Sequence, residues 1–437
     1  VSGTGEQFGV PLTAASKQND PAEEWKTLKP TVLVATTLRW FPTARLAIAL
    51  ADAGCTVGAV CPPGHPLVKT SAVHHTHTYN GLMPLRSFAA AIAATRPDFV
   101  VPGDDRATWH LHDLYQRELR KGQAGEAICS LIERSLGAAA SFPVVYARSS
   151  FMERAHEAGI RVPKTAVIKN TEELSEWVAR AGLPTVLKAD ATSGGDGVRV
   201  VRTLEEAERA FHKLKAPPLW ARAAKRALVD GDKTLVWPAL LRRRSVVNAQ
   251  AFVAGREATS TVACWEGAVL ASLHFEVLKK ADRSGHATVV RLIANPEMSS
   301  TVEEMVRQLN LSGLHGFDFL LESGTGNAYL IEINPRATQV GHLMLGPGRD
   351  LPAALYAALT GKAVQEAQRL TDNDTIALFP QEWIRDPMSE FLRSGYHDVP
   401  WEQPELVHAC VRSRRTQSAW YTDQQPARAV SAVHLPR

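Results

Sequence analysis

The chain has 437 residues, a formal net charge of +4, and apolar and charged fractions of 45% and 22%. That length allows two or three domains with ample core, and so small a net charge gives no electrostatic footprint for nucleic acid or a membrane surface. Five cysteines without CxxC spacing (Cys55, Cys61, Cys129, Cys264, Cys410) speak against a zinc site or a disulfide framework, and with neither an apolar run of roughly 18 residues nor a signal-peptide pattern the expectation is a cytoplasmic protein.

Residues 1–30 are polar and aperiodic and read as a loose N-terminal arm. From Thr31 the pattern changes. Val32–Ala35 reads as a buried strand, Thr43–Ala53 as a helix closed by Gly54, and Thr56–Val60 as the next strand. Strand–helix–strand at this spacing implies a right-handed βαβ unit on a parallel sheet. A second unit follows, with a helix over Leu85–Thr95 and a strand over Pro97–Pro102. Asp104 and Asp105 come directly after that strand, as a helix N-cap and first-turn acid or as a ligand loop. No GxGxxG is present, so a dinucleotide is not indicated. His74, His75 and His77 lack a further ligand and fit a polar surface strand better than a metal site.

Ala147–Gly159 has helical spacing, Thr165–Ile168 reads as a strand, and Thr171 opens a capped helix to Ala181. Next comes strand, glycine-rich loop, strand: Lys188 ends the first strand, and Ser193-Gly194-Gly195-Asp-Gly197 forms the loop. A lysine there supplies a fixed positive charge, and glycines let backbone N–H groups close over phosphate oxygens. It is not a Walker loop, because no GK[ST] occurs, and a plain hairpin turn explains the same residues. Leu204–Leu214 reads as an amphipathic helix. Residues 216–244 mix prolines with basic residues, including Arg242-Arg-Arg244, and read as a surface excursion. Ser245–Phe275 reads as three antiparallel strands, in which Gln250, Phe252 and Val253 could border a base and Glu257 could accept from ribose hydroxyls.

The stretch Gly316–Arg336 is a predicted hairpin turning through Ser323-Gly-Thr-Gly-Asn327. With the turn centred on Thr325, Asp318 faces Glu332 and Gly316 faces Asn334. Alternation then gathers Phe317, Phe319, Leu321, Tyr329, Ile331 and Ile333 on an apolar face. Opposed side chains stand roughly 5 Å apart, too close for two carboxylates to stay ionised without a cation between them. Two carboxylates and an amide oxygen suit Mg²⁺ that also binds phosphates; an ordinary solvated hairpin face is the alternative.

Four motifs in this order carry a resemblance. They are the Lys188 strand with its glycine loop, Gln250-x-x-x-x-Gly255-x-Glu257, Asp318, and Glu332-Ile-Asn-Pro-Arg336. Together they resemble the ATP-grasp superfamily, nearest its carbamoyl-phosphate-synthetase-like and carboxylate–amine ligase branch. The resemblance implies an α/β and α+β architecture. A doubly wound pre-ATP-grasp domain over 31–140 precedes a two-lobed ATP-grasp domain with mixed or antiparallel sheets, its lobes over 141–215 and 216–362, and 363–437 is a C-terminal extension. It implies ATP as cofactor with Mg (or Mn) held by Asp318, Glu332 and Asn334. Arg148, Lys188, Ser193, Gly194, Gly195, Gln250, Phe252, Val253 and Glu257 would bind the nucleotide, and Lys188, Arg336 and Arg291 would serve the chemistry. The family usually has lysine where Arg148 stands and often Glu where Gln250 stands. Some relatives carry an arginine just before the first metal acid, a charge Arg291 would replace. The implied activity is ADP-forming activation of a small-molecule carboxylic acid for attack by an amine, in a possible homodimer, without nucleic acid or membrane. A bicarbonate-activating enzyme and a nucleotide-binding protein without turnover are the alternatives.

Overall fold

The structure, a computed structural model, describes residues 29–189, 197–217, 245–282, 285–364 and 368–412. The Ser193–Gly195 loop and the Arg242–Arg244 run lie outside the described residues. Among the described residues no helix is long and apolar enough to cross a membrane.

The first strand, β1 (Thr31–Ala35), sends Val32 and Val34 to one side and Leu33 and Ala35 to the other, each pair fully buried in a different core. That alternation requires a helical layer on both faces. α1 (Phe41–Asp52) covers the valine face; it starts two residues before the expected Thr43 because Pro42 is tolerated in a first turn. β2 (Thr56–Cys61), β3 (Val73–Thr78), α2 (Pro84–Thr95) and β4 (Phe99–Pro102) follow. α3 (Asp105–Leu119), which opens at the expected N-cap Asp104, and α4 (Glu126–Leu136), which has no counterpart in the sequence reading, complete the second layer over Leu33 and Ala35. The strands are all parallel in the order β3-β2-β1-β4, so the winding reverses between β1 and β4. His74 and His75 are exposed on the edge strand, and His77 bonds Thr95 at 3.1 Å, as a polar surface strand requires.

After the short α5 (Phe142–Tyr146), α6 (Arg148–Glu157) leads into a smaller lobe. It contains β5 (Thr165–Ile168), α7 (Thr171–Ala181), β6 (Thr185–Ala189), β7 (Val198–Val201) and α8 (Leu204–Lys215). The cap of α7 is Asn170, one residue before the expected Thr171; its side chain accepts from the Glu173 N–H at 2.8 Å. β8 (Val247–Ala251) returns to this lobe and gives an antiparallel four-stranded sheet, β5-β8-β6-β7. Leu187, Val247 and Ala249 face the core under α7 and α8, which includes Trp177 and Phe211.

The third sheet has seven strands in the order β13-β12-β9-β10-β11-β14-β15. Its members are β9 (Gly255–Trp265), β10 (Ala268–Lys280), β11 (Ala287–Leu292), β12 (Gly313–Glu322), β13 (Ala328–Asn334), β14 (Thr375–Leu378) and β15 (Tyr396–Asp398). The expected trio over Ser245–Phe275 is thus split, with β8 in the small sheet and β9 and β10 in the large one. Gly255 marks the change of sheet: a Cβ there would stand 2.3 Å from the Leu321 carbonyl oxygen, so only glycine lets β9 start against β12. α9 (Pro296–Gln308) and α6 cover one face of the large sheet. The other face buries α1, residues of the 337–345 loop and α10 (Leu351–Thr360) in a core continuous with the N-terminal sheet. Burial of a side chain such as Phe41, Leu46 or Leu50 there contributes about 1.5–3 kcal/mol each.

Candidate active site

At the edge of the large sheet, Asp318 faces Glu332 and Gly316 faces Asn334, the expected pairing. The turn is not the expected one. Leu321 faces Ala328, so the loop is centred between Gly324 and Thr325, and a bulge at Ile331 restores the register. The apolar face changes accordingly: Leu330 is fully buried with Phe317, Phe319 and Leu321, whereas Tyr329 and Ile331 are only half-buried. Gly316 makes room beside Asn334, because a Cβ would meet Thr338 Cγ2 at 2.5 Å and Asn334 Cβ at 3.4 Å.

Asp318 accepts from Thr259 Oγ1 on β9 and from Asn334 Nδ2, both at 2.9 Å. These bonds favour its charge. Burial and the neighbouring Glu332 carboxylate nevertheless push its pKa up to about 6. Burial works the same way on Glu332, but the charges of Arg148 and Lys188, and a hydrogen bond from Arg148 Nη2, outweigh it and hold that carboxyl below its ordinary range. The Glu332 side chain keeps 30% of its accessible surface, so a ligand can reach it.

Lys188 arrives from the small sheet. It is paired with Val198 and Asn248 and is only 6% exposed. Burial lowers its pKa to about 8; Glu332 and Asp318 raise it, and Arg148 lowers it further. Two acids and two bases from separate lobes thus act on one another's charge. Arg148 Nη1 is buried without a hydrogen-bond partner, a donor suited to an anion. Asp318, protonated more readily than an ordinary aspartate, and the oxygens of Glu332 and Asn334 suit a hard cation. The donor set therefore fits Mg²⁺ together with phosphate.

The open face of the small sheet is the one opposite Leu187. Lys188 and Gln250 lie on it, with the part-exposed Val167 and Val200 in register with them. Gln250 is buried and donates to Thr165 Oγ1 at 3.1 Å. Phe252 is 42% exposed just beyond β8, and Val253 is half-buried. Glu257 stands two residues from Thr259 on β9, on the same face as Asp318, and accepts both contacts of Lys280 at 2.8 and 2.9 Å. Arg336 also reaches the cluster: its Nη2 lies 3.4 Å from Asn334 Oδ1.

Arg291 is a correction. It pairs with Glu276, whose partner Ala258 faces Phe319, whereas Asp318 is aligned through Thr259 and Phe275 with Leu292. Neighbours along a strand point to opposite faces, so Arg291 projects away from Asp318 and supplies it no charge. Asp104 proves to be structural: it caps α3 through the Ala107 N–H at 2.9 Å and accepts from Thr37 N at 2.6 Å and Thr36 Oγ1 at 2.7 Å. Thr259, Val167 and Val200 were not singled out by sequence; Asp105, whose carboxylate accepts from Arg336 at 3.2 Å, was named there as a first-turn acid or part of a ligand loop. Thr259 had a usable signal, two positions from Glu257; Asp105 had none that tied it to Arg336.

An ATP-grasp domain model matches residues 148–340. A biotin carboxylase of Halalkalibacterium halodurans is 26% identical over 290 residues, covering 58% of this chain and 59% of that protein. A phosphoribosylamine–glycine ligase of Ralstonia nicotianae is 31% identical over 115 residues, 26% of this chain and 22% of that protein. Pyruvate carboxylase 1 of Caenorhabditis elegans is 27% identical over 231 residues, covering 49% of this chain and 17% of that protein, so the chain spans well under two thirds of these relatives. Among solved structures, the N5-carboxyaminoimidazole synthase of Aspergillus clavatus with ADP and 5-aminoimidazole ribonucleotide superposes with a TM-score of 0.56 at 15% identity, covering 77% of this chain and 78% of that one. The biotin carboxylase domain dimer of the Hydrogenobacter thermophilus 2-oxoglutarate carboxylase superposes with a TM-score of 0.53 at 17% identity, covering 78% and 71%. At such identities these structures share the fold. Residues 148–340 match the ATP-grasp domain model, and that segment of the chain is an ATP-grasp domain.

Proposed function

We propose that this chain is an ATP- and Mg²⁺-dependent ligase in which a substrate carboxylate takes the γ-phosphoryl group to give an acyl phosphate and ADP, and an amine then displaces inorganic phosphate to form an amide. One observation carries the reading: Lys188 from the small lobe and Arg148 from a helix packed on the large sheet meet the opposed pair Asp318 and Glu332 at one place. Such an arrangement is suited to phosphoryl transfer, where catalysis is mostly positioning and charge neutralisation. Lys188 and Arg148 would hold phosphate oxygens, Gln250 and the exposed Val167, Val200 and Phe252 would border the base, and Glu257 would accept from the ribose. Asp318, Glu332 and Asn334 would hold Mg²⁺, which offsets charge on the bridged phosphates when bound. Arg336 would steady the transferring group. The nucleophile belongs to the substrate, so no protein nucleophile is required.

A second reading keeps the same site and takes bicarbonate as the acid. The relatives named as biotin carboxylase, pyruvate carboxylase and carbamoyl phosphate synthase favour it. A screen of carboxylic acids for ADP release, with hydroxylamine as surrogate amine, tests the first reading. ADP formation that requires one acid supports it. ADP formation that requires only bicarbonate selects the second, and none with any acid or bicarbonate rejects both.

A further inference from the structure

Arg336 is held from the N-terminal domain. Its Nε lies 3.2 Å from Asp105 Oδ1, and its guanidinium carbon 5.1 Å from the ring centroid of Trp40. Asp105 opens α3 directly after β4, and Trp40 ends the loop after β1. These are the two strands between which the parallel sheet reverses its winding. The loop after β1 is itself fixed by Asp104, which takes Thr37 Oγ1 at 2.8 Å and Leu38 N at 3.2 Å in addition to the bonds already described. Two more clips join the domains beside Arg336: Ala337 N donates to Pro102 O at 3.0 Å, and Thr108 Oγ1 to Pro335 O at 2.7 Å. On its other side Arg336 reaches Asn334, which in turn donates to Asp318. A continuous series of contacts therefore runs from Trp40 and Asp105 through Arg336 and Asn334 to the opposed acids.

An ion pair held only for stability would gain little here. The two side chains are part-buried, 14% and 22% exposed, so desolvation of both charges offsets much of their attraction. Their geometry has more to do with aim. A guanidinium seated on an aromatic face and bonded at Nε loses its freedom to rotate away.

We infer that Asp105, with Trp40, is a positioning residue that fixes the Arg336 guanidinium beside the Asp318–Glu332–Asn334 cluster, so that the N-terminal domain completes the phosphoryl-transfer site. This rests on the ligase reading. Asp105 acts through Arg336, with which its carboxylate is paired. A displaced catalytic group loses rate without loss of ground-state binding, and a shift of about 1 Å costs on the order of a hundredfold.

The test is a double-mutant cycle on ADP formation with Asp105→Asn, Arg336→Gln and the pair together. Asp105→Asn should lower kcat by about ten- to a hundredfold, with KM for ATP within about twofold and an unchanged melting temperature. In the Arg336→Gln background the same substitution should change kcat less than about twofold, since a group acting through another has nothing left to act on. Asp105→Glu should recover part of the rate. Equal losses in both backgrounds, or a fall in melting temperature with kcat unchanged, would overturn the positioning role while leaving the ligase reading intact. A wild-type chain without turnover overturns both.

Discussion

The large sheet buries an aspartate at each end, Asp398 and Asp318, and treats the two in opposite ways. At the β15 end, Asp398 is held by Arg45 of α1 at 2.5 Å and His342 at 2.7 Å, and these charges outweigh burial and keep its pKa low. Glu382, fully buried, is satisfied likewise by Arg385, Ser389 and Thr288, and its pKa is also low. At the β13 end, Arg148 and Lys188 hold Glu332 below its ordinary range, whereas Asp318 takes hydrogen bonds from a hydroxyl and an amide, and burial and the facing Glu332 carboxylate, opposed by Arg336, push its pKa up to about 6. Acids matched inside the chain tie the C-terminal strands to the N-terminal domain and the sheet. Asp318, raised by burial and a facing like charge, gains its ionised form when a cation is placed beside it.

That contrast breaks most sharply at Glu332. Glu332→Gln should cut ADP formation by about 10³-fold or more while the fold is retained; undiminished turnover rejects the ligand role of the β13 end. The opposite result is expected at Asp398. Asp398→Ala leaves the buried Arg45 short of its main partner and should cost about 3–5 kcal/mol in a denaturant titration; an unchanged midpoint would show that the two ends do not differ in kind.

Asp318→Asn should act with the reverse sign on stability. Its folded pKa lies above the ordinary 3.8, so the ionised form is a penalty that is complete above about pH 6 and vanishes as pH falls toward 3.8. The variant should therefore be more stable than wild type at pH 7, by about 1 kcal/mol after allowance for solvent screening, with the gain shrinking below pH 6 in thermal melts. The smallest effect concerns Lys188. Only its ammonium form holds phosphate, so kcat/KM for ATP should fall as pH rises through about 8. Lys188→Arg should move that alkaline limb upward by more than about one pH unit, because a guanidinium does not deprotonate in this range.

Much of this site was legible because it is local. The facing of Asp318 and Glu332 was read from the turn residues, yet from the actual turn, alternation alone would set Asp318 against Ile331 and the bulge restores the pair, while Lys188 and Glu257 stand out by their place near glycines. The bulge at Ile331 was not legible, since Leu330, Ile331 and Tyr329 are all apolar enough to face the core and only packing chooses between them. β8 was grouped with its neighbours in sequence, yet its hydrogen-bond partners are β5 and β6, and no local pattern encodes which sheet a strand joins. Arg291 was assigned by charge without a register; once β10 and β11 are aligned, its face is settled against the site. The link between Asp105 and Arg336 spans 231 residues and two domains. Only the folded chain brings them together.

Calorimetric titration with Mg·ATP at pH 6, in two buffers of different ionisation enthalpy, tests the cation demand at Asp318 most directly. About half of the Asp318 carboxyls carry a proton at that pH, so nucleotide and metal should bind with proton release, on the order of half a proton per site. Asp318→Asn should abolish the release. Binding with no buffer dependence in the wild-type chain, or with the same release in the variant, would contradict the account.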